Sequence, residues 1–188
     1  MARFLLEYLK GRLVLVKDKN PMWRILLAEG YGEDLGEYVV LHPLEAIYLL
    51  MKGKAMIYGK SEKDIVKNIL RESIQKDQEL VIKLGAYLDL RERGFSVKII
   101  KNKEPLIFEV FNRQADITID ESRCVIMVVQ AEKSIEIKDL DKALSEAKKM
   151  NKMLVLAIID QDGDIVYYKV DSTLRFGVSL RLRKTHWI

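Results

Sequence analysis

The stretch MLVLAIIDQDGDIVYYKV (153–170) sets two apolar runs on either side of an acidic Asp-Gly turn. Both runs are of strand length and rich in β-branched and aromatic residues. Asp-Gly between such runs is a strong hairpin signal, because glycine tolerates positive φ. Three aspartates, Asp160, Asp162 and Asp164, crowd the turn. Packed acids of this kind hold a metal, do acid–base chemistry or dock onto a basic surface. A calcium loop of the EF-hand type needs its glycine sixth and a glutamate twelfth, between two helices. Here the glycine comes fourth, two tyrosines follow and the flanks are strand-like, which removes the metal reading. A turn accounts for Gly163 and one aspartate. Three like charges on one tip repel one another, are cheap in water and are useful against a cationic partner.

Working outward from the hairpin, a charged helix is expected over about 137–151, and strands at FSVKII (95–100), LIFEVF (106–111), ADITI (115–119) and RCVIMVV (123–129). The segment DQELVIKLGAYLDLRERG (77–94) places Leu80, Val81, Leu84 and Leu88 on one helical face, and Gly94 ends it. Further back, RFLLEYL (3–9) and RLVLVKD (12–18) flank a Lys10-Gly11 turn. WRILLAE (23–29), GEYVVL (36–41) and KAMIYG (54–59) read as additional strands. A helix opens at Pro43 and stops at Gly53, and Ser61 with Asp64 is a capping-box signal for a helix over 61–76. The expected fold class is therefore α/β (α+β) in two small domains. Residues 1–76 form a mixed N-terminal domain; residues 77–188 form a β-rich domain with one central helix.

The bulk numbers agree with a globular chain. Nearly half of the 188 residues are hydrophobic, 49%, and Lys plus Arg exceed Asp plus Glu by four. That balance permits a nucleic-acid partner without demanding one. The single cysteine, Cys124, sits in an apolar run and reads as a core thiol, which excludes a disulfide scaffold. No apolar stretch is long enough to span a bilayer and the first residues lack a signal-peptide pattern, so a cytoplasmic protein is expected. High charge together with many Ile, Leu, Lys and Glu suits a thermophile. The alternating tail over 174–183 puts Arg175, Arg181 and Arg183 on one side of a strand. Such a face either guards a sheet edge or contacts RNA phosphates.

Conventional nucleophilic chemistry is poorly represented. Of the two histidines, His42 stands immediately before Pro43 as a helix-start residue, and His186 lies near the end of the chain. No glycine-rich phosphate loop, paired-cysteine motif or nucleophile elbow is present.

HPLEAIYLLMKGKA (42–55), YLDLRERGFSVK (87–98) and KMLVLAIIDQDGDIVYYKV (152–170) together resemble archaeal tRNA-splicing endonucleases, over roughly residues 41–170 and most specifically at 86–98 and 152–170. The resemblance implies metal-free RNA cleavage with no cofactor. A 2′-hydroxyl attacks the adjacent phosphate, leaving a 2′,3′-cyclic phosphate and a 5′-hydroxyl. That chemistry needs a base, an acid and a cation beside the phosphate. The family is held to supply them as tyrosine, histidine and lysine. The matching positions here are Phe111, Glu121 and Lys152, of which only the lysine keeps its type. An arginine that the family uses to clamp a bulged base falls near Ser145, in the stretch ALSEAKK (143–149).

The resemblance is therefore to the non-catalytic structural subunit of the heterotetrameric enzymes. It implies an α2β2 assembly with a catalytic subunit of the same family, acting on precursor tRNA at bulge–helix–bulge sites. Asp160, Asp162 and Asp164 are then the subunit-docking loop, and DIVYYKV (164–170) an edge strand for pairing across chains. Lys152, Arg175, Arg181 and Arg183 are candidate RNA contacts. Two rivals stand beside this expectation. One is an active endonuclease using Lys152 with Tyr167, Tyr168 or His186; the other is a stand-alone RNA-binding module using the basic tail.

Overall fold

The computed structural model of the protein describes residues 3–58, 62–76, 79–100, 105, 107–170 and 182–184. The chain opens with a hairpin, β1 (Phe4–Leu9) against β2 (Arg12–Val16). Its turn residues, Lys10 and Gly11, both take positive φ, at 47° and 80°, which matches the twist of the flanking strands. Next come α1 (Trp23–Ala28), β3 (Glu33–Leu35), β4 (Tyr38–Val40), α2 (Pro43–Met51), β5 (Ala55–Ile57), α3 (Glu62–Lys76) and α4 (Leu80–Glu92). The first sheet runs β3-β4-β2-β1-β5, antiparallel except for β1 and β5. His42 caps α2 as its position suggests. The Leu44 N–H donates to His42 Nδ1 at 3.3 Å, and the Glu45 carboxylate accepts from the N–H groups of His42 and Gly32 at 2.7 and 3.0 Å.

The second sheet comprises β6 (Phe95–Ile100), β7 (Ile107–Arg113), β8 (Cys124–Gln130), β9 (Met153–Ile159), β10 (Ile165–Val170) and β11 (Leu182–Lys184). Between β8 and β9 lies α5 (Ile137–Lys149), a crossover that makes those two strands parallel; every other neighbour is antiparallel. Both faces of the central strands are covered, which explains their unbroken apolar sequence. Cys124, Ile126, Val155 and Ala157 face a core shared with α4 and the first sheet. Val125, Met127, Leu154 and Leu156 face Leu140, Ala143, Leu144 and Ala147 of α5.

The shared core is crossed by an aromatic chain. Tyr31 stacks on Tyr48, Tyr48 meets Tyr87 edge-on and Tyr87 meets Phe108, with centroids 6.1, 6.0 and 5.8 Å apart. Beside it lies Arg91, a charged residue only 7% exposed. Its guanidinium donates to the carbonyl oxygens of Glu29 (2.8 Å), Gly30 (3.3 Å) and Val97 (2.7 Å) and to the Tyr87 hydroxyl (3.0 Å). It also lies 3.9 Å from the Tyr31 ring centroid. A single buried cation thus ties the end of α1 to α4 and β6. Gly30 makes the approach feasible: its φ is +86°, and a Cβ there would sit 3.0 Å from the Val97 carbonyl oxygen.

Several expectations are corrected. WRILLAE is not a strand but α1, with Met22, Trp23, Leu26 and Leu27 at helical spacing against the core and Ile25 outside. Asn20 anchors the segment, its side chain bonded to both backbone groups of Leu5 and to the Val16 carbonyl. ADITI is a turn: the Asp116 carboxylate accepts from the Thr118 N–H at 2.9 Å, and Ile119 points outward. On α4, Val81 is 57% exposed, and the buried line runs through Leu80, Lys83, Tyr87, Leu90 and Arg91. β10 is not left as a bare edge, because Tyr168 to Val170 pair with β11 of the same chain. The signal at Ser61 and most of the tail, including Arg175, Arg181 and His186, lie outside the described residues.

Replacing Arg91 by Met fills the space but leaves three carbonyls without their donor. The expected loss is about 3 kcal/mol or more of unfolding free energy in urea titration, with Arg91→Lys recovering little of it. A loss under about 1 kcal/mol would show that the guanidinium is not what joins the halves.

Candidate functional site

Sheet register decides which of the singled-out residues meet. β8 and β9 are parallel with Cys124 opposite Met153, so the residues just before both strands emerge at one end of the sheet. β7 runs the other way, with Val110 opposite Cys124, so Phe111 and the residues after it reach that same end. The Arg123 N–H donates to the Val110 carbonyl at 2.7 Å, carrying the pairing one step further.

At this end Lys152 Nζ donates to Glu121 Oε2 at 3.0 Å. The Glu121 side chain is 92% exposed, whereas the Lys152 side chain is 19% exposed. The stem of the lysine is thus packed and its ammonium aims at a carboxylate in solvent. Phe111, 4% exposed, is a buried ring without a hydroxyl. The arrangement offers a cation already matched by an acid. A phosphodiester approaching Lys152 meets the negative charge of Glu121 first.

The loop that carries Glu121 is held by its own acids. Asp120 Oδ2 accepts from the Asp116 N–H at 2.8 Å, and Asp116 Oδ1 accepts from both the N–H and the hydroxyl of Thr118. Those Thr118 bonds hold the Asp116 carboxyl below the usual carboxylate range. The loop begins at Gln114, whose φ of 56° is left-handed and whose N–H donates to the Gly94 carbonyl at 3.1 Å.

Other candidates do not join this group. Tyr167 lies opposite Ala157, five residues along β9 from Lys152, roughly 16 Å at strand rise. Its hydroxyl donates to Asp89 Oδ2 at 2.6 Å, and burial, with that bond, pushes its pKa far above the ordinary phenol range. Tyr168 is half-buried in β10, opposite Leu156. Ser145 lines an open groove of about 460 Å³ on α5 with Lys138, Asp141, Lys142, Glu146 and Lys149, and the described lining contains no arginine.

The acidic turn divides into two kinds of aspartate. Asp160 Oδ1 accepts the N–H groups of Asp162 and Asp164 at 3.0 and 2.9 Å, closing the hairpin, and Gly163 takes φ +87°. All five residues from Asp160 to Asp164 are exposed, and among the described residues no group of three or more His, Cys, Asp or Glu side chains converges as a metal site. The sequence pattern does not single out Arg91, the buried cation of the shared core. Nothing in the charged run RERG marks Arg91 as buried, because its pattern assigns all three charges to solvent.

Comparison with known proteins finds two family models along the chain. Residues 5–68 match the model of the tRNA intron endonuclease N-terminal domain, and residues 80–167 that of the tRNA intron endonuclease catalytic C-terminal domain. A tRNA-splicing endonuclease of Pyrococcus furiosus is 30% identical over 88% of this chain and 95% of its own length. One from Methanococcus vannielii is 32% identical over 86% and 90%, and one from Pyrococcus abyssi 29% identical over 91% and 98%.

Cys124 opens β8 just behind this loop, and burial pushes its thiol up to about 12. At pH 8 it is protonated and enclosed, so a disulfide reagent should label it only as fast as the native fold opens. Labelling of the folded protein at the rate of a free thiol would contradict the packing of this sheet end.

Proposed function

The chain belongs to the tRNA intron endonuclease family, and from that premise we propose that it is the non-catalytic structural subunit of a heterotetrameric tRNA-splicing endonuclease. In this reading it positions a catalytic subunit of the same family on precursor tRNA at bulge–helix–bulge sites, in an α2β2 assembly. Residues 1–76 serve as the N-terminal domain and 77–188 as a nuclease-like domain whose site has decayed.

One observation carries the reading. At the three positions that the family chemistry needs, a buried phenylalanine stands for the base and an exposed carboxylate for the acid, and that carboxylate sits 3.0 Å from the lysine. Phe111 has no proton-accepting group. Glu121 brings negative charge to the place where a phosphorane would need it removed. The rival enzyme reading gains nothing from Tyr167, whose hydroxyl is committed to Asp89.

The same reading gives the acidic hairpin its work. Asp160 builds the turn, leaving the exposed Asp162 and Asp164 to meet a cationic pocket of the partner. Charges delivered to such a pocket need specific counter-charges there, which makes the contact selective.

The purified chain should leave a bulge–helix–bulge RNA uncut, and addition of the catalytic partner should produce cleavage. Asp162→Asn with Asp164→Asn should weaken assembly with the partner about tenfold, by about 1.4 kcal/mol, while the isolated chain keeps its melting temperature. Asp160→Ala should lower the melting temperature of the isolated chain as well. Full cleavage by the chain alone would overturn the assignment.

A further inference from the structure

The second sheet ends in two edge strands, β6 and β11, which close it in different ways. At β6 the Val97 carbonyl accepts from Arg91, and a Cβ on Gly30 would sit 3.0 Å from the same oxygen. The chain just after α1 therefore blocks that edge. On the opposite side β10 would be the edge but for a strand from much later in the sequence. Leu182, Arg183 and Lys184 pair antiparallel with Val170, Lys169 and Tyr168. We propose that β11 is a guard strand that keeps β10 from pairing with the β10 of a second copy of this chain.

β10 has the properties that make an open edge adhesive. Its sequence, IVYYKV, is β-branched or aromatic at every position but the lysine, and β9 uses only one side of its backbone. The other side would present a row of N–H and C=O groups, which an antiparallel partner satisfies. A second copy fits this edge because a two-fold axis sets two identical strands antiparallel, each supplying half of the contact. Tyr167 and Val170 are buried and the Tyr167 hydroxyl is fixed on Asp89, so the strand is held in shape before any partner arrives.

β11 has the opposite properties. It is short, Leu182–Lys184, and two of its residues are basic, which is how sheet edges are blunted. Among the described residues it covers Tyr168 to Val170, half of β10. Its pairing is weak in itself. Register sets Arg183 opposite Lys169, and like charges directly opposite work against a strand pair. What favours it over a second copy is covalent connection through residues 171–181. A tether of that order gives an effective concentration of about 1 mM, far above that of a free second chain in dilute solution.

The test uses the full-length chain carrying Leu182→Pro with Arg183→Pro. Neighbouring residues of a strand turn their N–H groups to opposite sides, so one of the two prolines removes a donor to β10 whichever way β11 faces. Molar mass is read by light scattering after size exclusion, over a range of loading concentrations. The proline pair should dimerise about tenfold or more tightly than the unaltered chain, with β10 amides protected from hydrogen exchange in the dimer. Arg183→Glu, which sets opposite charges in register with Lys169, should act the other way. It should slow exchange of the β10 amides that face β11 about threefold. Should the proline pair lose its fold by circular dichroism, the glutamate variant is read alone.

Equal dimerisation by the proline pair and the unaltered chain would overturn the proposal. So would a dimer whose β10 amides exchange as freely as those of the monomer, since the contact then lies elsewhere. Unchanged exchange in Arg183→Glu would overturn it as well, because β11 would not hold the register that guards the edge. None of these measurements involves RNA or a catalytic partner, so their outcome is independent of the structural-subunit reading.

Discussion

The structure depends on a buried guanidinium. Arg91 reaches from α4 to carbonyls at the end of α1 and in β6, so its charge is satisfied only when the two sheets are docked. Desolvating such a cation is costly, and its bonds offset the cost only when all are made together. The aromatic chain from Tyr31 to Phe108 follows the same path and supplies the apolar half of the joint. Rigid docking matters for function because it fixes the N-terminal sheet relative to the sheet end where Glu121 and Lys152 meet.

That sheet end follows from connectivity. One crossover through α5 makes β8 and β9 parallel, and parallel register brings Glu121 and Lys152, 31 residues apart, to hydrogen-bond distance. In the proposed reading this sheet end is the scaffold of a reacting cluster whose groups have changed. What remains is an ion pair of partly exposed character, adequate to hold a loop and unsuited to a phosphorane. The proposed role as a supporting subunit asks for the fold without the chemistry, since assembly depends on surfaces and register more than on proton transfer.

Much of this was legible in the sequence where one local period governs. The hairpin at 153–170 and the strand over 123–129 carry unbroken apolar runs of strand length, the helix over 137–151 carries helical spacing, and each is found where expected. The failures have physical causes. α1 was read as a strand because its apolar residues are dense enough to suit either period, and the side-chain bonds of Asn20 to Leu5 are tertiary. The buried face of α4 was misplaced because it contains Lys83 and Arg91, charges that pattern reading assigns to solvent. The positions of Phe111, Glu121 and Lys152 came from resemblance; their mutual geometry is a property of register, which no local window contains. In the same way, the inward bonds of Asp160 separate it from Asp162 and Asp164 although the three look equivalent in sequence.

In the proposed assembly this chain's lysine is a partner of Glu121 and the chemistry falls to another subunit. The most direct measurement is the cleavage rate of precursor tRNA by the reconstituted complex in which only this chain carries Lys152→Ala. The rate should stay within about twofold of the unaltered complex, since no reacting group has been removed. A fall of ~100-fold, the size expected when a transition-state cation is lost, would show that Lys152 acts in catalysis and contradict the account.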